Sequence, residues 1–509
     1  MNRIRGEEQP GFVDILHNWL PHQPWFPNPR GRIRLTRVGG LRLPTPTGDA
    51  DTGLFLEVHI FDVAQPDAGP GEDSVRISVP VTLRSRPSAL AGKSAFIGKL
   101  TTEGDEELWV YDGAGDRAFL AAWVEMARRR QGSRNGRSRG EALAGFSEWE
   151  PFDLQLKRQV VDSPLTHASR ILLTPQGVED GDWSQMVAVD ILRRPVTEQD
   201  STMDTVQTLT AAHSTAVPRV LGTISGAWED REFSTPEFIE WQTGVLGVIR
   251  EAAAEAPDAQ ALARSALKTG ESFKAAAEQL GRSLGTFHAD LAGSFGAFPQ
   301  SPEQLRTMAT NAQEALADQW DQVREEFDED EAADLADTIE LMSMQLREVD
   351  EPLLLQTIHG DLSPACFHQF TDQRWVITET GGIVEHAPGL RDVVTVLMAL
   401  ANMVMQQASQ APGAGTGDAA VEAAASPTAP DDDAAGAAET DTGSPIFFGR
   451  WYEVVTTAFV DGYRASDADA AGIDSVFFST AMLTEALYLF SQWNGRWVFR
   501  PSMLLQMDS

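Results

Sequence analysis

The spacing of apolar residues changes along the chain, and this change constrains the fold. Between about residues 50 and 125, runs such as LFLEVHIFDV, VRISVPVTLRS and EELWVYDG are broken by Gly, Pro and Asp, which is typical of antiparallel strands. From about 150 to 230, strand-like pieces (SRILLTP, QMVAVDIL, RVLGTISGAW) accompany one helical stretch, DSTMDTVQTLTAAH. From Ser234 onward, spacings of three and four, as in FKAAAEQLGRSLGTFHADLA, predict helices. We therefore expect an α+β protein with a strand-rich N-terminal half.

Size, charge and cysteine content limit the possible classes of protein. A chain of 509 residues predicts roughly two to four domains. Its 75 acidic and 40 basic residues give a net charge of −35, so neither nucleic acid nor an anionic membrane is expected as a partner. Cys366 is the only cysteine, which excludes an intramolecular disulfide. With no apolar run of membrane-spanning length and a polar start, the chain is expected to be cytoplasmic.

Two segments interrupt the predicted elements. The first, RRRQGSRNGRSRG at residues 128–140, predicts a solvated basic linker, with a patch for an acidic partner as the alternative. The second, at about residues 407–444, consists mostly of Ala, Gly, Pro, Asp and Thr and contains no aromatic residue. Such a composition buries too little apolar surface to fold, so we expect an acidic disordered insertion that splits the helical half without ending it.

The tripeptide His359-Gly360-Asp361 carries the clearest chemical signal. It follows the apolar run LLLQTI, and 18 residues after Asp361 a second apolar run, RWVIT, leads to Glu379. Two strands joined as a hairpin would bring the two acids together. Phosphoryl transfer needs one carboxylate for the acceptor hydroxyl, another for magnesium, and a lysine for the nucleotide phosphates. The pair therefore indicates a phosphotransferase, and a polar turn in a helical domain is the alternative.

The chain resembles the maltokinases, which phosphorylate maltose with ATP. The resemblance rests on WLPHQPWFPN, VPVTLRSRP, AFIGKL, WVYDGAGDRAFL, VPRVLGT, LGRSLGTFHADLA, IHGDL, LRDVV and EALYLFSQWNGRWVFRPSML, in this order. It implies a bilobal, aminoglycoside phosphotransferase-like (protein-kinase-like) fold with a β-rich N-terminal cap domain. The expected divisions are a cap at 1–127, a linker at 128–140, a small lobe at 141–232, and a helical lobe at 233–509 that contains the insertion.

The resemblance also identifies positions where this chain departs from the family. Asp361 corresponds to the catalytic aspartate. Cys366 stands where maltokinases have a metal-binding Gln, and a thiol is a poor ligand for Mg²⁺. Glu379 remains as a metal-binding acid, but the second acid of that motif is Gly381.

The small lobe departs from the family in its charge. Asp190, in AVDILRR, replaces the ATP-binding lysine, and Asp204 corresponds to the acid that pairs with that lysine. A reversed charge next to a triphosphate turns attraction into repulsion, worth on the order of several kcal/mol.

Two functions follow from these residues. In the first, the protein is a maltokinase that uses ATP and Mg²⁺, with a displaced cation such as Arg193 in place of the lysine. In the second, it is a pseudokinase that binds maltose or another α-glucoside, or regulates an enzyme of trehalose and glycogen metabolism. The loss of lysine, amide and second acid favours impaired catalysis.

Several other residues receive structural interpretations. We expect His359 to hold its loop through a backbone hydrogen bond, and Asp392, in GLRDVV, to be a structural hydrogen-bond acceptor. His288, in LGTFHADLA, is expected to pack in the fold, with a sugar contact as the alternative. The aromatic residues Trp493, Trp497 and Phe499 are expected to close the core or, alternatively, to stack on sugar rings. Cys366 has no neighbouring base in the sequence, so we do not expect it to be a nucleophile.

Overall fold

The protein was analysed as a computed structural model. The structure describes residues 9–26, 33–64, 74–102, 105–161, 167–176, 186–197, 201–235, 237–252, 257–370, 373–378, 383–410 and 445–493. The chain divides into two compact units: unit 1 comprises Met1–Ala211 and Pro218–Ala254, and unit 2 comprises Ala212–Val217 and Glu255–Ser509.

Unit 1 is built around one antiparallel sheet. Its helices and strands are α1 (Phe12–Trp19), β1 (Arg34–Leu43), β2 (Phe55–Ala64), β3 (Val75–Arg84), β4 (Phe96–Thr101), β5 (Glu107–Asp112), α2 (Arg117–Arg128), β6 (Arg139–Ala142), β7 (Lys157–Val161), β8 (Ala168–Thr174), β9 (Val187–Thr197), α3 (Ser201–Ala211), β10 (Val220–Glu229) and β11 (Trp241–Glu251). The strand order is β4-β5-β3-β2-β1-β10-β11-β9-β8-β7, and β6 pairs with β10.

The alternation of side chains along the strands explains how both faces of this sheet are covered. In β2, Leu56, Val58 and Ile60 belong to the core cluster that contains the buried face of α2. Phe61 and Val63 point to the opposite face and belong to the cluster that contains the buried residues of α1. Because successive side chains of a strand point to opposite faces, one strand can contribute to two cores.

The predicted strands and helix of the N-terminal half are confirmed by β2, β3, β5, β8, β9, β10 and α3. The expectation of helices from Ser234 onward is wrong for Trp241–Glu251, which forms β11. This strand lies between β10 and β9 and is largely buried. A strand covered on both faces loses its alternating polarity, so periodicity alone does not identify it.

The expected cap and small lobe share this sheet. Strands β1 and β10 pair through Gly39 and Trp228, and a Cβ atom on Gly39 would lie 2.5 Å from the carbonyl oxygen of Ala227. Glycine is needed here because the backbones approach so closely. The expected linker, residues 128–140, runs from the end of α2 into β6, and Gly132 forms a β-bridge with Arg139. The domain boundaries read from the sequence stay predictions.

Unit 2 is mainly helical, as the spacing of its apolar residues predicted. Its helices and strands are α4 (Ala259–Thr269), α5 (Lys274–Phe295), β12 (Ala297–Pro299), α6 (Pro302–Val323), α7 (Glu329–Glu348), β13 (Leu354–Ile358), β14 (Phe367–Gln369), β15 (Trp375–Ile377), β16 (Val384–Ala387), α8 (Leu390–Ser409), α9 (Pro445–Arg464) and α10 (Val476–Gln492). Strands β12, β13 and β16 form one sheet, and β14 and β15 form a hairpin.

Glycines allow α5 and α9 to pack closely. A Cβ atom on Gly281 of α5 would lie 1.9 Å from the carbonyl oxygen of Phe459. On α9, a Cβ atom on Gly462 would lie 2.0 Å from the carbonyl oxygen of Glu278. Real Cβ atoms do not approach backbone oxygens this closely, so the two helices can pack at this distance only because Gly281 and Gly462 have no side chain.

Parts of two expectations lie outside the described residues. Residues 407–409 of the expected insertion are the end of α8, residue 410 follows this helix, and 411–444 are not described. Trp497 and Phe499 also lie outside the described part of the chain. None of the described helices is both long enough and apolar enough to cross a lipid bilayer.

Candidate functional site

The His359-Gly360-Asp361 loop follows a strand, as the sequence predicted. β13 ends at Ile358 and the loop turns directly after it. Gly360 has a φ of 86°, a left-handed conformation that glycine adopts without steric cost. His359 is buried, whereas Asp361 is exposed to solvent. The turn therefore separates a buried histidine from an exposed carboxylate.

A buried carboxylate fixes the backbone of this loop. Asp392, near the start of α8, is fully buried. It accepts hydrogen bonds from the amides of His359 and Gly360, each at 2.8 Å, and from Nε2 of His288 at 3.0 Å. Burial by itself would raise the pKa of Asp392, but the hydrogen bonds from His288, Gly360 and His359 hold that pKa below its ordinary value. The predicted role of Asp392 as a structural acceptor is confirmed.

The two histidines near this loop are both structural. His359 accepts a hydrogen bond at Nδ1 from the amide of Asp361 at 3.3 Å, which confirms the predicted backbone contact. His288, on α5, is buried between Asp392 and the hydroxyl of Tyr463, which lies 2.8 Å from Nδ1. His288 therefore packs in the fold, as expected. The sequence analysis did not identify Tyr463, and a contact across 175 residues gives no local signal.

The hairpin predicted between Asp361 and Glu379 is present. Strands β14 and β15 pair from Phe367 with Ile377 to Gln369 with Trp375. The amide of Thr378 donates to the carbonyl oxygen of Cys366 at 2.9 Å. The chain thus returns next to the His359-Gly360-Asp361 loop immediately before Glu379, but Glu379 itself lies outside the described residues.

The described residues near the loop do not fit a magnesium site. The thiol of Cys366 is buried and lies 3.6 Å from the hydroxyl of Ser363. Mg²⁺ requires oxygen ligands in a nearly octahedral arrangement. Asp361 offers one carboxylate, and within the described part of the chain no group of three His, Cys, Asp or Glu residues could hold a metal ion. Glu379, predicted from the sequence as a metal ligand, stays a prediction.

In unit 1, Asp190 is part of a buried ion-pair cluster. It lies on β9 directly opposite Arg170 of β8. Arg170 donates to both carboxylate oxygens, from Nε at 2.7 Å and from Nη2 at 2.8 Å. Nε of Arg250, on β11, lies 3.8 Å from the same carboxylate. Burial lowers the pKa of Arg250, while the charge of Asp190 opposes that shift. Neither arginine can be identified from local sequence patterns, because both reach Asp190 only through the pairing of β9 with β8 and β11.

Two further residues of the predicted nucleotide site, Arg193 and Asp204, also lie in unit 1. Arg193, proposed as a displaced cation, is buried and donates from Nη2 to Asp112 at 2.6 Å and from Nε to Ser169 at 2.9 Å. These contacts hold its guanidinium inside the unit, and a role for Arg193 in place of the lysine stays a prediction. Asp204 lies on α3, but its side chain is outside the described part of the structure.

Comparison with known proteins agrees with this architecture. Residues 19–116 match the family model of the maltokinase N-terminal cap domain. A glucosamine kinase in complex with glucosamine, ADP and inorganic phosphate is 15% identical, with 97% of each chain covered and a TM-score of 0.50. A second crystal form of glucosamine kinase is also 15% identical, with 98% of this chain and 97% of that chain covered and a TM-score of 0.49.

A more distant structure and a sequence search complete the comparison. An ADP-bound aminoglycoside phosphotransferase is 10% identical, with 69% of this chain and 90% of that chain covered and a TM-score of 0.27. A search of curated protein sequences gives no match. At 15% identity, the likeness to glucosamine kinase shows the fold alone. The chain therefore contains a maltokinase N-terminal cap domain at residues 19–116 and has a fold like that of glucosamine kinase, and the resemblance to maltokinases that its motifs indicated is confirmed for the cap domain.

Proposed function

We propose that this sugar kinase-like protein keeps the acceptor side of a maltokinase but lacks an ordinary Mg²⁺–ATP site, so that ATP-dependent phosphorylation of maltose is strongly impaired. The burial of Asp190 between Arg170 and Arg250 carries this proposal. At the position that the resemblance assigns to the ATP-binding lysine, a carboxylate is committed to holding the sheet together. It cannot serve as a cation for phosphate groups.

The loop of Asp361 supports the other half of the proposal. Its backbone is fixed by two hydrogen bonds to Asp392, and its carboxylate is exposed. An exposed carboxylate on a rigid turn can accept a hydrogen bond from a sugar hydroxyl without any nucleotide. The protein would then bind maltose or another α-glucoside, and it would act as a sugar-binding or regulatory partner in α-glucan metabolism, in the cytoplasm.

An active kinase is the second candidate, and one observation favours it. Two arginines surround one carboxylate at the Asp190 position, so the cation for the nucleotide phosphates would come from Arg170 on the neighbouring strand. Arg170 is about one-sixth exposed, at 17%. Guanidinium groups bind phosphates through paired N–H donors.

One assay separates these functions. The purified protein is incubated with labelled ATP, Mg²⁺ or Mn²⁺, and either maltose or glucosamine, and Asp361→Asn serves as the control. We expect no acid-labile sugar phosphate above the control, together with a rise in Tm on adding maltose, since a ligand of the native state stabilises it. Product well above the Asp361→Asn background would overturn the proposal. Because Arg170→Met also removes a partner of the buried Asp190, loss of product in this variant would support the second candidate only where hydrogen exchange shows that unit 1 is still folded.

A further inference from the structure

Tyr463 lies at the end of a continuous line of buried hydrogen bonds that leads to the catalytic loop. Its hydroxyl is 2.8 Å from Nδ1 of His288, whose Nε2 is 3.0 Å from Asp392. Asp392 accepts in turn from the amides of His359 and Gly360. All of the side chains in this line are buried. One helix, α9, thus reaches the loop through two intermediate side chains.

The chemistry of the line assigns each hydrogen. Asp392 accepts three hydrogen bonds and its pKa is held low, so it acts as a carboxylate and His288 must donate to it from Nε2. Burial, with the nearby charges of Asp392 and Asp469, raises the pKa of Tyr463, so its hydroxyl keeps its proton. His288 is its hydrogen-bond partner within the described residues. That proton is therefore satisfied when Tyr463 donates to an unprotonated Nδ1.

Close packing holds Tyr463 in this position. Gly462, the preceding residue, contacts the backbone of α5. A Cβ atom on Gly389 would lie 3.0 Å from Nδ1 of His288 and 3.1 Å from the hydroxyl of Tyr463. The hydroxyl and the imidazole are in direct contact, at 2.8 Å. Helix α9 therefore contacts, through Tyr463, the His288–Asp392 pair that holds the loop.

We propose that Tyr463 is a positioning residue, which fixes His288 in its Nε2-protonated form and thereby holds Asp392 and the backbone of the His359-Gly360-Asp361 loop in register. The role of that loop rests on the proposed function, but the contact itself does not require catalysis. Nor does its test use activity, so the positioning role and the sugar-kinase function succeed or fail separately.

The first measurement uses the unmodified protein labelled with ¹⁵N-histidine. His288 is assigned by the loss of its signals in His288→Asn. We expect a pyrrole-type ¹⁵N shift for Nε2 and a pyridine-type shift for Nδ1. A protonated Nδ1, either in the opposite tautomer or in an imidazolium, would overturn the proposal without any Tyr463 variant.

The second measurement compares two matched variants on α9. Tyr452→Phe removes a buried hydroxyl that donates to the carbonyl oxygen of Leu397 at 3.2 Å, whereas Tyr463→Phe removes the one bound to His288. We expect hydrogen exchange at the amides of His359 and Gly360 to accelerate by about five- to tenfold in Tyr463→Phe only, the effect of losing roughly one hydrogen bond. Equal exchange in both variants would refute the positioning role, and so would an unchanged His288 signal in Tyr463→Phe.

Discussion

A lysine at position 190, the residue that the resemblance to maltokinases implies there, should destabilise unit 1 instead of creating a nucleotide site. Asp190 is 0% exposed, and its two arginine neighbours are 17% and 10% exposed. Removing one partner of a buried ion pair costs about 3–5 kcal/mol. A lysine would add a third cation within a few ångström of Arg170 and Arg250, and like charges at such distances repel by up to about 4 kcal/mol at an intermediate dielectric. Typical domains are stable by only about 5–15 kcal/mol.

The assay follows unit 1 by itself. Hydrogen exchange of β8 and β9 peptides in increasing urea reports their opening free energy, which we expect to fall by at least about 3 kcal/mol in Asp190→Lys. The reversed pair, Asp190→Lys with Arg170→Asp, should recover part of the loss. Glu107→Lys, which breaks an exposed pair with Lys99 on the same sheet, should cost less than about 1 kcal/mol. An Asp190→Lys protein of unchanged stability that gains a thermal shift with ATP would refute this reasoning.

Two further predictions concern unit 2. Asp392→Asn replaces one accepting carboxylate oxygen with an NH2 group that faces other donors, so we expect a loss of roughly 3 kcal/mol in the unfolding free energy at neutral pH. Because the folded pKa of Asp392 is depressed, this difference should shrink as the pH falls through that pKa. A pH-independent difference in urea unfolding would contradict the assignment. Gly462→Ala should lower the unfolding free energy by about 1–3 kcal/mol, because the new methyl group forces α9 away from Glu278. Gly293→Ala on α5, where a Cβ atom meets nothing within 4 Å, should be neutral or stabilising. Equal melting shifts for both variants would rule out the close packing.

Local patterns in the sequence were sufficient for most elements and for the position of the His359-Gly360-Asp361 loop. The alternation in LFLEVHIFDV gave β2, and the apolar runs on either side of His359-Gly360-Asp361 gave β13 and the hairpin of β14 and β15. Such features depend on residues close together in the chain, so the sequence carries them directly.

What the sequence could not give are contacts set by register and by long-range packing. Arg170 and Asp190 face each other because β8 and β9 pair in one particular register, and a shift of one residue would point them to opposite faces. Tyr463 reaches His288 across 175 residues. Trp241–Glu251 was missed because its surroundings, not its own periodicity, decide that it is a strand.

Folding stability accounts for the buried residues around the His359-Gly360-Asp361 loop but not for Asp361. Asp392, His288 and Tyr463 satisfy one another in the interior, and losing any one would leave buried polar groups without partners, so they would persist in a protein with no activity. Asp361 is different, because it is exposed and its carboxylate has no hydrogen-bond partner within the described residues. Within the described part of unit 2, no hydrogen bond or ion pair requires a carboxylate there. If Asp361 binds the sugar, as the proposed function has it, Asp361→Asn should remove the sugar-dependent rise in Tm while leaving the melting of the free protein unchanged.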